Sequence, residues 1–131
     1  GFWWQEGSER IDYSRKKDFC WISLIRLPDF VTNEDFQNIK NATEQKKNHD
    51  YSKVEFMTIE EGLCVQCMHI GSYDEEYKTI SMMEQYLEEC GFISDLSPNR
   101  LHHEIYLSDV RRVVPEKWKT VIRHPIRKKG E

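Results

Sequence analysis

Glu104 and Tyr106 stand two residues apart in Leu101-His102-His103-Glu104-Ile105-Tyr106-Leu107-Ser108-Asp109, a short, alternating, β-prone stretch. Side chains alternate faces along a strand, so His102, Glu104 and Tyr106 share one face, and Ile105 and Leu107 the other. A carboxylate can pair with a cation, accept hydrogen bonds or position a water for attack. A phenol beside it can donate a hydrogen bond or stack on a flat ligand. On a solvated face the same pair would do neither. The spacing predicts that Ile105 and Leu107 pack under a helix while Glu104 and Tyr106 line the opposite, non-helical face. His102 has the parity to join them. His69, beside Gly71, reads as a structural histidine at a strand end.

Flat apolar surface comes from the beginning of the chain. Trp3 and Trp4 are adjacent among polar residues, and Phe19 and Trp21 share one face of a strand. Phe19, Trp21 and one of Trp3 or Trp4 are the expected walls of a planar-ligand site. Gln66, with Met68 on the same side of its strand, is either satisfied by backbone or reaches the face of Glu104. Trp118 is either an aromatic on the lid side of such a site or core. Cys64 and Cys67 form a C-x-x-C within a strand-like run, where positions three apart face opposite sides. No second C-x-x-C and no H-x-x-x-H accompanies them. The expectation is four reduced cysteines with no zinc and no disulfide between Cys64 and Cys67. No metal or organic cofactor is implied.

The elements that must position these residues are readable in part. Lys17–Arg26 reads as a strand apolar on both faces and ended by Pro28. Thr32 is a suitable N-cap for a helix over 33–47, with Asp35 at N3 and a Val31–Phe36 staple. Its apolar stripe, from Phe36 to Ile39, is narrow. Lys53–Ile59 and Leu63–Ile70 read as a hairpin around Glu60-Glu61-Gly62. Ser72 with Glu75 resembles a capping box for a second helix. That helix carries Tyr73, Tyr77, Ile80, Met83, Leu87 and Cys90 as its stripe and Gly91 as C′ residue. Phe92–Arg100 reads as a loop, Pro115–Trp118 as a short helical turn and Thr120–Arg127 as a last strand. The order implies an α+β domain: an antiparallel sheet with helices on one face.

The bulk properties exclude several classes. The chain has 131 residues, a net charge of -4 and 32% charged residues. That suits one domain over 1–131, with no general attraction to nucleic acid or anionic membrane. No apolar run approaches a membrane span, and the N-terminus lacks the pattern of a secretory signal. A cytoplasmic location is expected. The first residue is Gly1 rather than Met, which indicates a chain that has been cut, processed or partly observed.

Several stretches, taken together and in order, resemble the GyrI-like family of small-molecule-binding proteins. They are Glu61-Gly62-Leu63-Cys64-Val65-Gln66, Met68-His69-Ile70-Gly71-Ser72-Tyr73-Asp74, His103 to Asp109 and Pro115-Glu116-Lys117-Trp118-Lys119-Thr120. Gly1-Phe2-Trp3-Trp4 and Arg26 to Thr32 are similar to its stand-alone branch. The resemblance implies two strand-helix-strand-strand repeats, as in the effector-binding domains of AraC- and MerR-type regulators, with a ligand cleft between them. It implies a cleft glutamate in an E-x-Y pattern, here Glu104 with Tyr106. The second repeat is complete and the first partial. An upstream strand and helix of repeat one are absent from these residues, so pairing with an upstream segment or a second chain is expected near Lys17–Arg26. Some stand-alone relatives are cyclopropanoid hydrolases, which open the cyclopropane ring of DNA-alkylating natural products inside an aromatic cage. Others sequester drugs. The resemblance thus implies a small planar or cationic aromatic ligand, bound to protect the cell or hydrolysed. The alternative is an effector sensor or gyrase-modulating interaction module, although no helix-turn-helix segment is visible.

Overall fold

The computed structural model describes residues 1–8 and 10–131. It divides into two compact units, Gly1–Leu24 with Glu61–Glu131, and Ile25–Glu60. The larger unit is α+β and carries a six-stranded antiparallel sheet. Its strands are β1 (Phe2–Gln5), β2 (Phe19–Ile22), β3 (Cys64–Ile70), β4 (Phe92–Ser94), β5 (His102–Tyr106) and β6 (Lys119–Lys128). The order is β2-β1-β5-β6-β3, and β4 pairs with the far end of β6. β6 is the axis of this sheet. Its Ile122 and Ile126 are core, and Ile122 lies opposite Glu104 on one side and Cys67 on the other.

Helix α2 (Glu76–Cys90) follows a 3-10 turn at Tyr73–Glu75. Its buried face is Glu76, Thr79, Met83 and Leu87. The expected stripe is therefore rotated, and Tyr77 is exposed. The Ser72 capping box is not formed: Ser72 makes no side-chain cap hydrogen bond, and its carbonyl accepts from His69 Nε2 at 2.8 Å. Gly91 ends α2 with φ +79°, and its N–H reaches the Leu87 and Glu88 carbonyls. That left-handed position strains any residue with a Cβ.

α2 covers the sheet face that carries Glu104. His69 Nδ1 lies 2.7 Å from Thr79 Oγ1 on α2, and His69 pairs with Thr120, which pairs with Tyr106. Directly opposed residues of antiparallel strands share a face. The expectation that Glu104 looks away from the helix is overturned. Ile105 is half-buried and Leu107 is exposed. The reason is that β6, not β5, supplies the apolar surface under α2, which leaves the helix-facing side of β5 free to be polar.

Other boundaries shift as well. β2 is shorter than expected and is an edge of the sheet, with Trp21 and Ile22 exposed rather than covered on both faces. Phe2–Gln5 and Phe92–Ser94 are strands that the sequence pattern did not reveal. Residues 53–59 form no strand, so the expected hairpin is absent; β3 takes β6 as its partner instead.

The smaller unit contains α1 (Asn33–Lys47). Thr32 Oγ1 accepts from the Asp35 N–H at 3.1 Å and Asp35 Oδ2 accepts from the Thr32 N–H at 3.0 Å, a reciprocal cap. No residue of α1 is buried, and Ile39 is exposed rather than part of a covered stripe. Phe36 instead meets Phe56, with ring centroids 5.8 Å apart, and Lys40 Nζ donates to the Val54 carbonyl. With little buried surface, this helix depends on its cap. Thr32→Ala should destabilise the unit by about 1 kcal/mol, read as faster amide exchange in α1 with unchanged exchange in β6.

Candidate functional site

Glu104 is 8% exposed and saturated with donors. The Tyr106 hydroxyl donates to Oε2 at 2.7 Å, and His102 Nε2 donates to Oε1 at 2.8 Å. Trp3 Nε1 donates to the Tyr106 hydroxyl at 2.8 Å. On the inner side, His102 Nδ1 lies 2.6 Å from His124 Nε2. A continuous chain of contacts thus runs Trp3, Tyr106, Glu104, His102, His124. Glu76 approaches from the first turn of α2, and its Oε2 accepts from the Tyr13 hydroxyl at 2.8 Å.

These surroundings drive the two carboxyl groups apart. Burial pushes Glu104 upward, but hydrogen bonds from His102, Glu76 and Tyr106, with the charge of His102, outweigh it and hold the group at about 2. Glu76 lacks such compensation. Burial, then the neighbouring Glu104, pushes it up to about 9. Burial and Glu104 also lift Tyr106 well above the ordinary phenol range. Burial and the proximity of His102 depress His124 to about 3, so it is neutral at pH 7.

An aromatic wall extends to either side of Tyr106. Trp3 lies 5.9 Å from both Phe19 and Trp21, its ring plane tilted 31° from that of Trp21. Tyr73 lies 5.9 Å from Tyr106 and 4.8 Å from Trp118. Trp21 is 59% and Tyr106 43% exposed, so this wall is open to a ligand while the acid behind it is not. The Trp118 indole N–H donates to the Val113 carbonyl, which fixes that ring. A separate groove of about 550 Å³, lined among others by Tyr13, Tyr77, Ile80, Ile93 and His124, opens at the inner end of the chain of hydrogen bonds.

Of the residues selected from sequence, Trp3, Phe19, Trp21, His102, Glu104, Tyr106 and, through Tyr73, Trp118 come together. Trp4, Gln66 and Met68 do not. Trp4 lies one residue out of parity with Trp3, and its indole N–H donates to Glu6. Gln66 and Met68 lie on the sheet face opposite Glu104, because Cys67 between them shares the face of Ile122. Gln66 Oε1 there accepts from Arg123, which also pairs with Glu61 at 2.5 Å, and Glu61 meets His103 at 2.7 Å. Sequence reasoning missed Glu76, Tyr13, Tyr73 and His124. Glu76 had a signal: it lies seven residues before Met83, an acid in register with a core position.

Glu76, His102 and Glu104 are the set of described residues whose donor atoms, all within 4.8 Å of one another, could hold a metal by type. As arranged, both His102 ring nitrogens are already engaged, Nε2 with Glu104 and Nδ1 with His124, so the ring is not free to ligate an ion. Cys64 and Cys67 fall on opposite faces of β3, and the four cysteines are free.

A buried, donor-saturated glutamate behind an open aromatic wall on an α+β sheet has the features of a candidate small-molecule site. The chain belongs to the GyrI-like family: the model of the GyrI-like small molecule binding domain matches residues 1–127. A crystal structure of an uncharacterized conserved protein from Listeria innocua is similar at 43% identity and TM-score 0.88, over 96% of this chain and 61% of its own. A hydrolase from Listeria innocua is similar at 39% identity and TM-score 0.83, over 96% and 60%. Another hydrolase from that organism is similar at 40% identity and TM-score 0.82, over 96% and 61%. The chain thus spans about three-fifths of the length of these structures. No match was found among curated proteins. No helix among the described residues is long and apolar enough to cross a membrane.

Proposed function

We propose that this chain carries the reacting half of a small-molecule hydrolase acting on planar, aromatic electrophiles such as cyclopropanoid-type toxins. One observation carries this reading: two buried carboxyl groups, Glu104 bonded by His102 and Tyr106 and Glu76 bonded by Tyr13, lie together beneath an open aromatic wall. A pair of carboxyl groups whose surroundings separate their protonation states is the pattern of a working acid and base. Pure stacking needs only the wall. The likeness to two hydrolases at about two-fifths identity supports the same direction.

In this reading the flat ligand stacks on Trp3 and Trp21 and meets Tyr106, the exposed end of the network. A water held by Glu104 attacks the strained carbon. The new C–O bond forms as the ring C–C bond breaks, and the released electron pair passes into the conjugated aromatic system. The water's proton leaves toward Glu104 and returns to that system. An acid held at about 2 is a weak base. Its main work is therefore orientation of water and stabilisation of the positive charge that develops on it. Trp3 and Tyr106 position the ligand, and His102 fixes the carboxylate.

The test is incubation with a panel of planar aromatic compounds, some bearing a fused cyclopropane, read by mass spectrometry. Saturable formation of a product heavier by one water is expected from the cyclopropane-bearing members. Tight binding, seen as quenched tryptophan fluorescence, with every compound recovered unchanged would replace hydrolysis by sequestration.

A further inference from the structure

Glu76 has no exposed surface, and its Oε1 is buried with no hydrogen-bond partner. Its other oxygen accepts from Tyr13. Oε1 is thus the atom that needs an explanation. Beside it lies a second carboxyl group, that of Glu104, in a cluster whose ligand atoms are within 4.8 Å of one another. Two ionised carboxylates cannot stay this close out of water without a cation between them. Both His102 ring nitrogens are engaged, Nε2 with Glu104 and Nδ1 with His124, so the ring is not free to ligate an ion there. Two oxygens facing each other bond only if one carries a proton, and as a hydroxyl Oε1 would gain the Glu104 carboxylate as acceptor.

We propose that Glu76 and Glu104 share one proton, carried on Glu76 Oε1 and donated to Glu104, and that Glu76 is thereby the positioning residue for that carboxylate. The charge balance of the surroundings agrees. Tyr13 and Tyr73 face Glu76 from the turns at either side, and Tyr106 and His102 from β5; the three tyrosines are lifted toward their neutral forms, and Tyr13, Tyr106 and His102 donate to the carboxylates. His124 on β6 is neutral. Burial and Glu104 keep Glu76 protonated at neutral pH. The catalytic meaning of the pair rests on the hydrolase reading above, but the proton itself does not, so the two fail separately.

The sign of the effect follows from linkage. Glu76 titrates near 4.5 when unfolded and at about 9 when folded. The unfolded chain releases this proton first, so stability falls as pH rises between those values. Glutamine is the neutral isostere of a protonated Glu76: its oxygen can accept from Tyr13 and its amide can donate to Glu104. Glu76→Gln should therefore fold normally, and the fall of Tm from pH 5 to 9 should flatten relative to wild type. Infrared spectra of the wild-type chain at pH 7 should show the C=O stretch of a protonated, buried carboxyl group. The same band should be missing from Glu76→Gln. Absence of the band from wild type, superimposable Tm–pH curves, or stoichiometric metal retained by wild type and lost in the variant would each overturn the proposal. The infrared measurement on wild type decides even if the variant does not fold.

Discussion

Glu104→Gln should lower turnover by about 10²-fold or more while ligand affinity changes little. The substitution keeps shape and removes charge. The amide oxygen can still accept from Tyr106, and the His102 ring can change tautomer to accept from the amide nitrogen, so the network persists in altered form. What is lost is the negative charge that orients water and stabilises it as it becomes positive. A planar electrophile held by Trp3, Trp21 and Tyr106 owes its affinity to stacking, which this variant leaves intact. The two parameters separate under this mechanism. If the site only binds cationic ligands, the same variant should cost about 1.5–3 kcal/mol of affinity, the scale of a charge-assisted hydrogen bond, with no turnover to lose. Turnover by Glu104→Gln equal to wild type would remove Glu104 from the chemistry altogether.

How much of this was legible in the sequence depends on the kind of signal each residue gave. Period-2 parity placed His102, Glu104 and Tyr106 on one face, and the register of β5 against β6 agrees. Parity also separates Cys64 from Cys67. What parity cannot supply is which face a helix covers. The choice of Ile105 and Leu107 as the helix side assumed that apolar residues mark the core on every strand. Here Ile122 and Ile126 of β6 satisfy α2, and β5 is free to turn its polar side inward. The same gap misplaced Gln66 and Met68, whose strand could be aligned with β5 only once its partner was known. Residues 53–59 have strand-like composition but no pairing partner among the described residues, and their Phe56 meets α1 instead. Tyr13 and His124 carried no local pattern, and Tyr73 read only as part of a helix's apolar stripe and of a family-like stretch. They matter only because distant segments converge on Glu76 and Glu104.

His102→Leu should be the most damaging single change to stability. His102 is 1% exposed and bonds two groups that have little other support in a dry interior, Glu104 Oε1 and His124 Nε2. Leucine is apolar and lacks both ring nitrogens, so it leaves a buried carboxylate and a buried imidazole each short of a partner. Leaving a buried polar group without its partner costs about 1–3 kcal/mol, more for a charged one, against a total of about 5–15 kcal/mol for a typical domain. The pH dependence identifies the cause. In wild type, Glu104 is depressed to about 2 from an unfolded value near 4.5, so its contribution is present above the latter and lost as pH falls toward the former. Without His102, burial dominates and Glu104 titrates higher, so protonation relieves the variant earlier in acid. The gap between wild type and variant in urea unfolding should therefore be widest at neutral pH and shrink as pH drops from about 5 toward 2. His124, depressed to about 3 mainly by burial, still destabilises both proteins as pH falls below its unfolded value near 6.5, which sets a common acid limb. A gap below about 1 kcal/mol at pH 7, or one independent of pH, would mean that His102 does not hold Glu104 ionised.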